Sequence, residues 1–212
     1  LSNFQIIMSR PRELDYTKLR IFQAHDLAID PESNKFKDKL FQDSFHKFVF
    51  ISNWQYNQYQ LVHNIPYDEK SIVIESGIET APENVFDMKD KEKIRIVYTS
   101  TPQRGLEILV PVFELLAQQY PNIHLDVFSS FKIYDWSERD AEYKNVIDML
   151  QNNKQVTYHG FKEHSVVREY VENAHIFAYP SIWMETSCRS LMEAMSAGLL
   201  CVHSNFGALY ET

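Results

Sequence analysis

The chain has 212 residues, of which 44% are apolar and 24% are charged, and its formal net charge at pH 7 is −8. This composition is typical of a globular protein with one large domain or two small ones. The acidic balance argues against a nucleic-acid partner held through its phosphates. No apolar run approaches the roughly 20 residues of a membrane span, and the first residues lack the layout of a signal peptide.

The two cysteines, Cys188 and Cys201, are too few for a disulfide framework, and no Asn-x-Ser/Thr acceptor site occurs. We therefore predict a cytoplasmic protein and leave peripheral contact with a membrane open as an alternative. The chain begins at Leu1 rather than at a methionine, and it stops at Thr212 just after an apparent turn. We expect residues to be missing at both ends.

The first half of the chain alternates loosely between strands and helices. Lys35–Phe48 interleaves basic and aromatic residues, which favours a surface helix with its aromatic face on a core over a segment that contacts a membrane. Thr80–Asp90 is polar, contains a proline and is interpreted as a linker. The other predicted elements are the strands Arg20–Ala24, Lys47–Ile51 and Ser71–Glu75 and the helix Trp54–His63, which stops before a proline.

The second half alternates more regularly. The predicted strands are Ile94–Thr99, Ile123–Phe128, Val156–His159, Ile176–Tyr179 and Leu199–His203, and the predicted helices are Arg104–Gln119, Asp140–Asn152, Glu163–Asn173 and Ser187–Ala197, the last capped by Gly198. Alternation of this kind indicates parallel sheets with helices on both faces, which bind ligands at the carboxyl ends of their strands. We predict an α/β protein with two Rossmann-like lobes, an incomplete first lobe in residues 1–82 and a truncated second lobe in residues 83–212.

Two glutamates, Glu185 and Glu193, are the most informative residues of the chain. Glu193 lies inside the apolar run LMEAMSAGLL, which predicts a buried helix. A buried carboxylate requires a hydrogen-bonding partner, either an internal cation or backbone N–H group or a polar ligand. Glu185 lies just before that helix, near its positive end, where anions and polar ligands bind well. A sugar nucleotide would satisfy both carboxylates, because its hydroxyl groups are donors.

The run IVYTSTPQRGLEIL, residues 96–109, reads as a strand, a polar turn and a helix. Ser100 and Thr101 offer hydroxyl groups, and Gly105 lets a ligand approach the backbone. Arg104 lies where the helix N-terminus already favours an anion, and its guanidinium suits phosphate oxygens. The segment therefore indicates a diphosphate site, with a capped helix and a solvated arginine as the alternative.

The run VTYHGFKEH, residues 156–164, ends a strand at Gly160, with Phe161 beyond it. This turn offers a wall for a nucleobase, although a phenylalanine at such a turn can also belong to the core. His25 follows a predicted strand and faces the same kind of edge, with a structural role as the alternative. The histidines lack metal-ligand spacing, and no Asp-x-Asp occurs. We therefore predict a site without metal.

Taken together and in this order, these segments resemble the GT-B glycosyltransferases, specifically the large retaining family known as group 1 or family 4. That family has a strand ending in Pro-Ser and then a Glu-x7-Glu pair, matched here by Pro180-Ser181, Glu185 and Glu193. The other matches are the phosphate loop Ser100–Leu106, His159-Gly160-Phe161, Gly207 with Glu211, and the first-lobe segments His25-Asp26, Ser52–Gln55 and Glu75–Ile78.

The resemblance implies a role for each matched residue. Glu193 would hold the ribose hydroxyls of the donor, and Glu185 would contact the donor sugar near the reacting carbon. Arg104 would neutralise the leaving diphosphate, and His25 would line the sugar side of the cleft. The implied catalytic residues are thus Glu185, Arg104 and His25, and the implied donor-binding residues are Ser100, Thr101, Gly105, Gly160, Phe161, Ser187, Cys188 and Glu193.

The implied activity is transfer of a hexose from a nucleotide-diphosphate sugar, as co-substrate, to a glycan, a lipid or another acceptor, with retention of configuration. The family needs no cofactor and no metal. Two departures favour a non-catalytic nucleotide-sugar binding module instead: Thr99–Thr101 lacks the basic residue that many members carry there, and Cys188 replaces a common glycine. A nucleotide-sugar epimerase of related fold is a third interpretation.

Overall fold

A computed structural model of the chain describes residues 3–83, 85, 89–90 and 92–212. It contains two compact units. Unit 1 comprises Leu1–Gly77, Met184–Cys188 and Gly207–Thr212, and unit 2 comprises Ile78–Trp183 and Arg189–Phe206. The sequence-based prediction divided the chain once, after residue 82, and so did not assign the two later segments to unit 1. The division into two independently folding lobes at this point stays a prediction.

Unit 1 is built on a four-stranded parallel sheet in the order β1-β2-β3-β4. Its strands are β1 (Phe4–Met8), β2 (Leu19–Gln23), β3 (Lys47–Phe50) and β4 (Ser71–Val73), and its helices are a 3₁₀ helix (Pro31–Lys37), α1 (Lys39–Asp43), α2 (Asn53–His63) and a 3₁₀ turn (Ala208–Tyr210). The sequence pattern predicts β2, β3, β4 and α2 within two residues at each end. Strand β1 was not predicted, because a five-residue segment is too short for its pattern to separate a strand from other structure.

The core of unit 1 is aromatic. Phe22 on β2 is fully buried, and its ring centroid lies 4.5 Å from that of Phe36. The segment Lys35–Phe48 supplies three of the buried rings, as predicted, but the prediction of one continuous helix is wrong. Asp38 is extended and ends the 3₁₀ helix, and its carboxylate then accepts from the Leu40 N–H to begin α1. The buried rings of this segment are Phe36, Phe45 and Phe48.

Unit 2 is built on a five-stranded parallel sheet in the order β7-β6-β5-β8-β9. The strands are β5 (Ile94–Thr99), β6 (Ile123–Phe128), β7 (Val156–Tyr158), β8 (Ile176–Tyr179) and β9 (Leu200–His203), and the helices are α3 (Leu106–Gln119), α4 (Lys144–Asn152), α5 (His164–Asn173) and α6 (Arg189–Ser196), with short 3₁₀ helices at Pro102–Arg104, Phe131–Tyr134 and Ser137–Tyr143. All five strands predicted for the second half are confirmed. The chain runs outward from β5 to β7 and then returns to place β8 on the other side of β5, so the strand order reverses between β5 and β8.

Helix α6 ends as the sequence predicts. Gly198 has φ of 71°, its N–H donates to Met195 O, and the Leu199 N–H donates to Ala194 O. This pair of hydrogen bonds is the Schellman motif, which requires a left-handed residue after the helix. The helix starts later than predicted, at Arg189, and α4 starts at Lys144 after a 3₁₀ helix that covers the predicted first turn.

The start of the predicted linker Thr80–Asp90 is fastened to unit 2. Arg168 on α5 pairs with Glu79 at 2.7 Å and donates to Thr80 O at 2.7 Å, and the Ala81 N–H donates to Ser196 Oγ at 2.8 Å. Asn84 and residues 86–88 lie outside the described part of the chain. Thr80 and Ala81 are therefore part of the body of unit 2 rather than a free connection.

Among the described residues, no helix combines the length and the hydropathy that crossing a membrane requires.

A buried histidine couples the stability of unit 1 to pH. His63 is 3% exposed, and its Nε2 lies 2.6 Å from the carbonyl oxygen of Ala28. A carbonyl oxygen can only accept a hydrogen bond, so the imidazole N–H is the donor. Burial lowers the pKa of His63 from its ordinary value of 6.5. The unfolded chain therefore binds a proton at a higher pH than the folded chain does, and stability falls as the pH drops through about 6.5.

We expect His63→Gln to remove part of this pH dependence, since the amide N–H can replace the donor without titrating. The melting temperature of the unsubstituted protein should fall more between pH 7.5 and pH 5.5 than that of the variant. His203→Gln, at an exposed position on β9, is the control and should keep the original slope. Parallel slopes for all three proteins would contradict the assignment.

Candidate functional site

The reversal of strand order in unit 2 places two loops side by side. β5 and β8 are parallel neighbours, paired through Ile96 with Ile176 and Val97 with Phe177. Their carboxyl ends continue into the loop Ser100–Gly105 and into Pro180-Ser181. Such a reversal leaves a crevice between loops that diverge to opposite faces of the sheet, and this is where open parallel sheets bind ligands.

Gly105 brings these two loops into direct contact. Its φ is 105°, and a Cβ atom at this residue would lie 2.1 Å from Pro180 O and 2.8 Å from the Pro180 carbonyl carbon. Only glycine fits, because the overlap is with backbone and the conformation is left-handed. The close approach predicted for a ligand is thus made by the protein's own carbonyl, and a ligand contact at Gly105 stays a prediction.

The loop after β5 carries the predicted polar groups in unit 2. Ser100 Oγ lies 3.4 Å from Tyr179 OH, and the hydroxyl of Tyr98 donates to Thr101 O at 3.0 Å. Thr101 is 5% exposed, and its Oγ1 has no hydrogen-bond partner among the described residues. An unsatisfied buried hydroxyl of this kind can accept from or donate to a bound group.

Arg104 lies at the end of the 3₁₀ helix that leads into α3. Its guanidinium carbon is 6.0 Å from the ring centroid of Trp183, a half-exposed residue of the loop after β8. The cation therefore belongs to the same crevice in unit 2 as Pro180. Trp183 was not among the predicted site residues, although an aromatic residue three positions after Pro180 was a signal for an aromatic wall.

The predicted nucleobase turn follows β7. Gly160 is left-handed with φ of 63°, and a Cβ atom placed there would meet one atom, Tyr158 Cε1, at 4.0 Å. Phe161 is half-buried, and Lys132 Nζ lies 5.7 Å from its ring centroid. His159 before the turn is held by Asp126, which the sequence analysis did not single out, with Nε2 2.8 Å from Oδ1, and its ring stacks on Phe128 at 4.2 Å.

Glu193 lies on α6 in unit 2, and its side chain is 19% exposed. The predicted burial of this helix is wrong: Leu191 and Ala194 are its buried residues, whereas Met195 is 44% exposed. The helix packs against β9 and against α5, and it leaves Arg189 and Met195 exposed. The carboxylate has an internal partner, because His164 Nε2 lies 3.0 Å from Glu193 Oε1.

Glu185 belongs to unit 1, where it is the buried glutamate of the pair, with 4% exposure. Its backbone forms a parallel bridge with Gly207, and its carbonyl accepts from the Ala208 N–H at 2.7 Å. A Cβ atom at Gly207 would lie 2.5 Å from Glu185 N and O. The trailing glycine of the family pattern therefore fixes the backbone that carries Glu185.

His25, also in unit 1, is held through its backbone. Its N–H donates to Ser9 Oγ at 3.0 Å, and its carbonyl accepts from Thr186 Oγ1 at 2.9 Å. His25 Nε2 and Ser187 Oγ are buried and have no hydrogen-bond partner within the described ranges. Unit 1 thus brings His25 next to the segment of Glu185, Ser187 and Cys188, and Cys188 is itself buried.

Glu211 has a structural role in unit 1. Its carboxylate accepts from the Asn53 N–H at 2.7 Å and from the Trp54 N–H. Ser52 caps the same helix, α2, by accepting from the Gln55 N–H at 3.1 Å. A carboxylate is stabilised at the positive end of a helix, where the first N–H groups lack intrahelical partners.

No group of three or more His, Cys, Asp or Glu side chains suited to a metal ion occurs in the described part of the chain. Independence of metal stays a prediction.

The family profile described as glycosyl transferases group 1 matches residues 78–212. The chain belongs to this family. The match takes in the loop after β5, the turn after β7 and both glutamates. The sequence-based identification of group 1 glycosyltransferases is therefore confirmed, whereas the role of each residue stays a prediction.

Two curated relatives are the A subunits of phosphatidylinositol N-acetylglucosaminyltransferase. The Arabidopsis thaliana protein is 28% identical over 145 residues, which is 67% of this chain and 31% of that protein. The Homo sapiens protein is 27% identical over 126 residues, which is 59% of this chain and 25% of that protein. The chain thus matches about a third or less of the length of these relatives.

Solved structures confirm the α/β, GT-B fold class. A glycosyltransferase from Rickettsia africae has a TM-score of 0.72 and 18% identity over 97% of this chain and 59% of its own. The Anabaena HepE protein, in complex with UDP and glucose, has a TM-score of 0.68 and 16% identity over 92% of this chain and 55% of its own.

The contact between Gly105 and Pro180 predicts a large effect of one added methyl group. Gly105→Ala should lower the free energy of unfolding by about 2–4 kcal/mol, because it combines a left-handed residue with backbone overlap. Gly77→Ala is the matched control: nothing lies within 4 Å of its Cβ position, so it should change stability by under about 0.5 kcal/mol. Equal stabilities of the two variants in urea unfolding would contradict the contact.

Proposed function

We propose that the protein is a glycosyltransferase that moves a sugar from a nucleotide-diphosphate sugar to an acceptor. The observation that carries the proposal is the meeting of two motif segments in unit 2, where Gly105 packs against the Pro180 carbonyl at the reversal of strand order. This contact supports a diphosphate site at a crevice of the kind that binds nucleotides in parallel sheets.

In this proposal, unit 2 binds the nucleotide. Arg104 and the Thr101 hydroxyl contact the diphosphate beside the first turn of α3, where free N–H groups favour anions. The base lies on the turn of Gly160 and Phe161, and Glu193 accepts from the ribose hydroxyls. As the bond between the sugar and the diphosphate breaks, negative charge grows on the diphosphate. Arg104 stabilises that charge and so acts most strongly in the transition state.

Unit 1 supplies the groups for the sugar. Glu185 is buried, and Gly207 holds its backbone in place. His25 Nε2 and Ser187 Oγ are buried polar atoms without a hydrogen-bond partner in the described residues, which suits them to contact sugar hydroxyls. We assign Glu185 and His25 to the donor sugar, and the backbone N–H groups of Ser187 and Cys188 to the sugar or phosphate.

The similar proteins support a choice of donor and acceptor class for this proposal. The names of the two curated relatives contain phosphatidylinositol and N-acetylglucosaminyltransferase, and one structural neighbour was solved with UDP and glucose. We therefore favour a UDP-linked hexose or N-acetylhexosamine as donor and a lipid-linked acceptor. Retention of the sugar's configuration and a cytoplasmic location with peripheral membrane contact stay part of the proposal on the strength of the sequence resemblance alone.

A binding module without catalysis is the second candidate. Thr99–Thr101 offers no second cation beside Arg104, and the relatives are named as subunits of a transferase. Such a module would bind nucleotide sugars and leave them intact. Release of the matching nucleoside diphosphate from a panel of UDP-, GDP- and ADP-sugars, with and without candidate lipid acceptors, separates the two candidates. Tight donor binding without any release would favour the module.

Arg104→Ala should weaken UDP binding roughly ten- to a hundredfold in calorimetry, the range expected for one or two lost charge-assisted hydrogen bonds, and should leave uridine binding unchanged. Arg139→Ala, which removes an exposed arginine that stacks on Phe131 at 4.4 Å, is the matched control and should affect neither ligand. Equal losses for UDP and uridine in Arg104→Ala would place this side chain away from the phosphates.

We also expect sugar transfer by the full-length protein to survive EDTA, because Arg104 and a helix N-terminus hold the diphosphate in this proposal. The measurement is UDP release with 5-minute and overnight chelation, at about millimolar EDTA in excess over any bound cation. Loss of activity that Mg²⁺ or Mn²⁺ restores would refute a diphosphate held by protein groups alone.

A further inference from the structure

Helix α5 begins at His164, directly beside the proposed nucleotide site in unit 2. The left-handed turn at Gly160 ends β7 and leads through Phe161 and Glu163 into the helix. Helices α5 and α6 pack against each other. This packing brings His164 Nε2 within 3.0 Å of Glu193 Oε1.

The two partners differ in exposure. The His164 side chain is 61% exposed, whereas that of Glu193 is 19% exposed. A pair with one largely solvated partner contributes little to folding stability. Helix α5 is held in other ways, since Val171 is 4% exposed and Tyr170 packs its ring against Phe128 at 5.0 Å. The contact therefore matters more for where the carboxylate points than for keeping the helix in place.

We propose that His164 is a positioning residue for the nucleotide ribose. Its Nε2–H donates to one lone pair of Glu193 Oε1 and so restricts rotation of the carboxylate. The remaining lone pairs then accept from the two adjacent ribose hydroxyls, because a carboxylate offers about four acceptor sites. A partner that fixes the orientation of a binding group raises affinity, because less conformational entropy is then lost on binding. This inference rests on the proposed function, in which Glu193 binds the ribose.

A competing role for His164 predicts the opposite change in nucleotide affinity. If His164 only occupies the carboxylate in the absence of ligand, the ribose must displace it, and removing the imidazole would strengthen nucleotide binding. If His164 acts on stability alone, its removal would lower the melting temperature and change the Kd of all nucleotides equally. Only positioning makes the loss of His164 weaken the binding of a nucleotide that has ribose hydroxyls and leave unchanged the binding of one that lacks them.

The experiment measures the affinity of UDP and of 2′,3′-dideoxy-UDP by calorimetry. His164→Ala should raise the Kd for UDP roughly three- to tenfold, which is less than the loss of a hydrogen bond to a charged group would cost because the ligand keeps its own hydrogen bonds, and should leave the Kd for the dideoxy compound unchanged. His164→Gln, which keeps an N–H donor at similar reach, should recover part of the loss. In a Glu193→Ala background, His164→Ala should have no further effect.

Lys144→Ala is the matched control. Lys144 is the first residue of α4, is 70% exposed and pairs with Asp148, as His164 begins α5 and pairs with Glu193. The control should bind both nucleotides like the unsubstituted protein, and thermal melting of each variant checks its fold.

Three results would overturn the positioning role: an unchanged or a lower Kd for UDP in His164→Ala, equal losses for UDP and the dideoxy compound, or a full effect that persists without Glu193. Each of these leaves the proposed function standing, because the unsubstituted protein still binds UDP. If the unsubstituted protein binds UDP and the dideoxy compound equally, Glu193 does not read the ribose and the inference fails. If it binds no nucleotide sugar or nucleotide, the proposed function fails with it.

Discussion

The candidate site depends on one contact between backbone atoms. Gly105 packs so closely on the Pro180 carbonyl that even a methyl group would overlap it. This contact joins the loop that follows β5 to the loop that follows β8. It thereby fixes the positions of Arg104 and Trp183 in unit 2, and it leads the chain directly into α3, whose N-cap is Gly105 itself. A short backbone contact holds loops more rigidly than side chains could, because it has no rotamers to adjust.

Unit 1 uses the same device. Gly207 packs on the backbone of Glu185, and the Ala208 N–H donates to the Glu185 carbonyl. In both units a glycine late in a motif fixes the backbone of a segment far away in the chain. The polar side chains of the candidate site then extend from backbone segments that these contacts already hold in place. This arrangement is preorganisation, which lowers the entropy lost when a ligand binds.

The strands of unit 2 could be predicted from the sequence, because buried parallel strands are short apolar runs that alternate with longer amphipathic segments. The degree of burial of the two glutamates could not be predicted in this way. Glu193 stands in an apolar run, yet its side chain is 19% exposed, whereas Glu185 is 4% exposed in a segment that packs on Gly207. Burial depends on tertiary packing, to which local composition is a weak guide. The same reason applies to Lys35–Phe48, where a single aspartate divides one apparent helix into two.

The composition of unit 1 has a consequence for synthesis on the ribosome. Its sheet and aromatic core come from residues before Gly77, but Met184–Cys188 and Gly207–Thr212 complete it. Glu211 cannot cap α2, and Gly207 cannot fix Glu185, until these segments have been translated. The N-terminus of α2 therefore lacks its final partner while the residues of unit 2 are being translated. The segment of Glu185 lacks its partner from its own synthesis until Gly207 has been added. The part of unit 1 that we assign to the donor sugar can therefore form completely only after residues 78–206 have been translated.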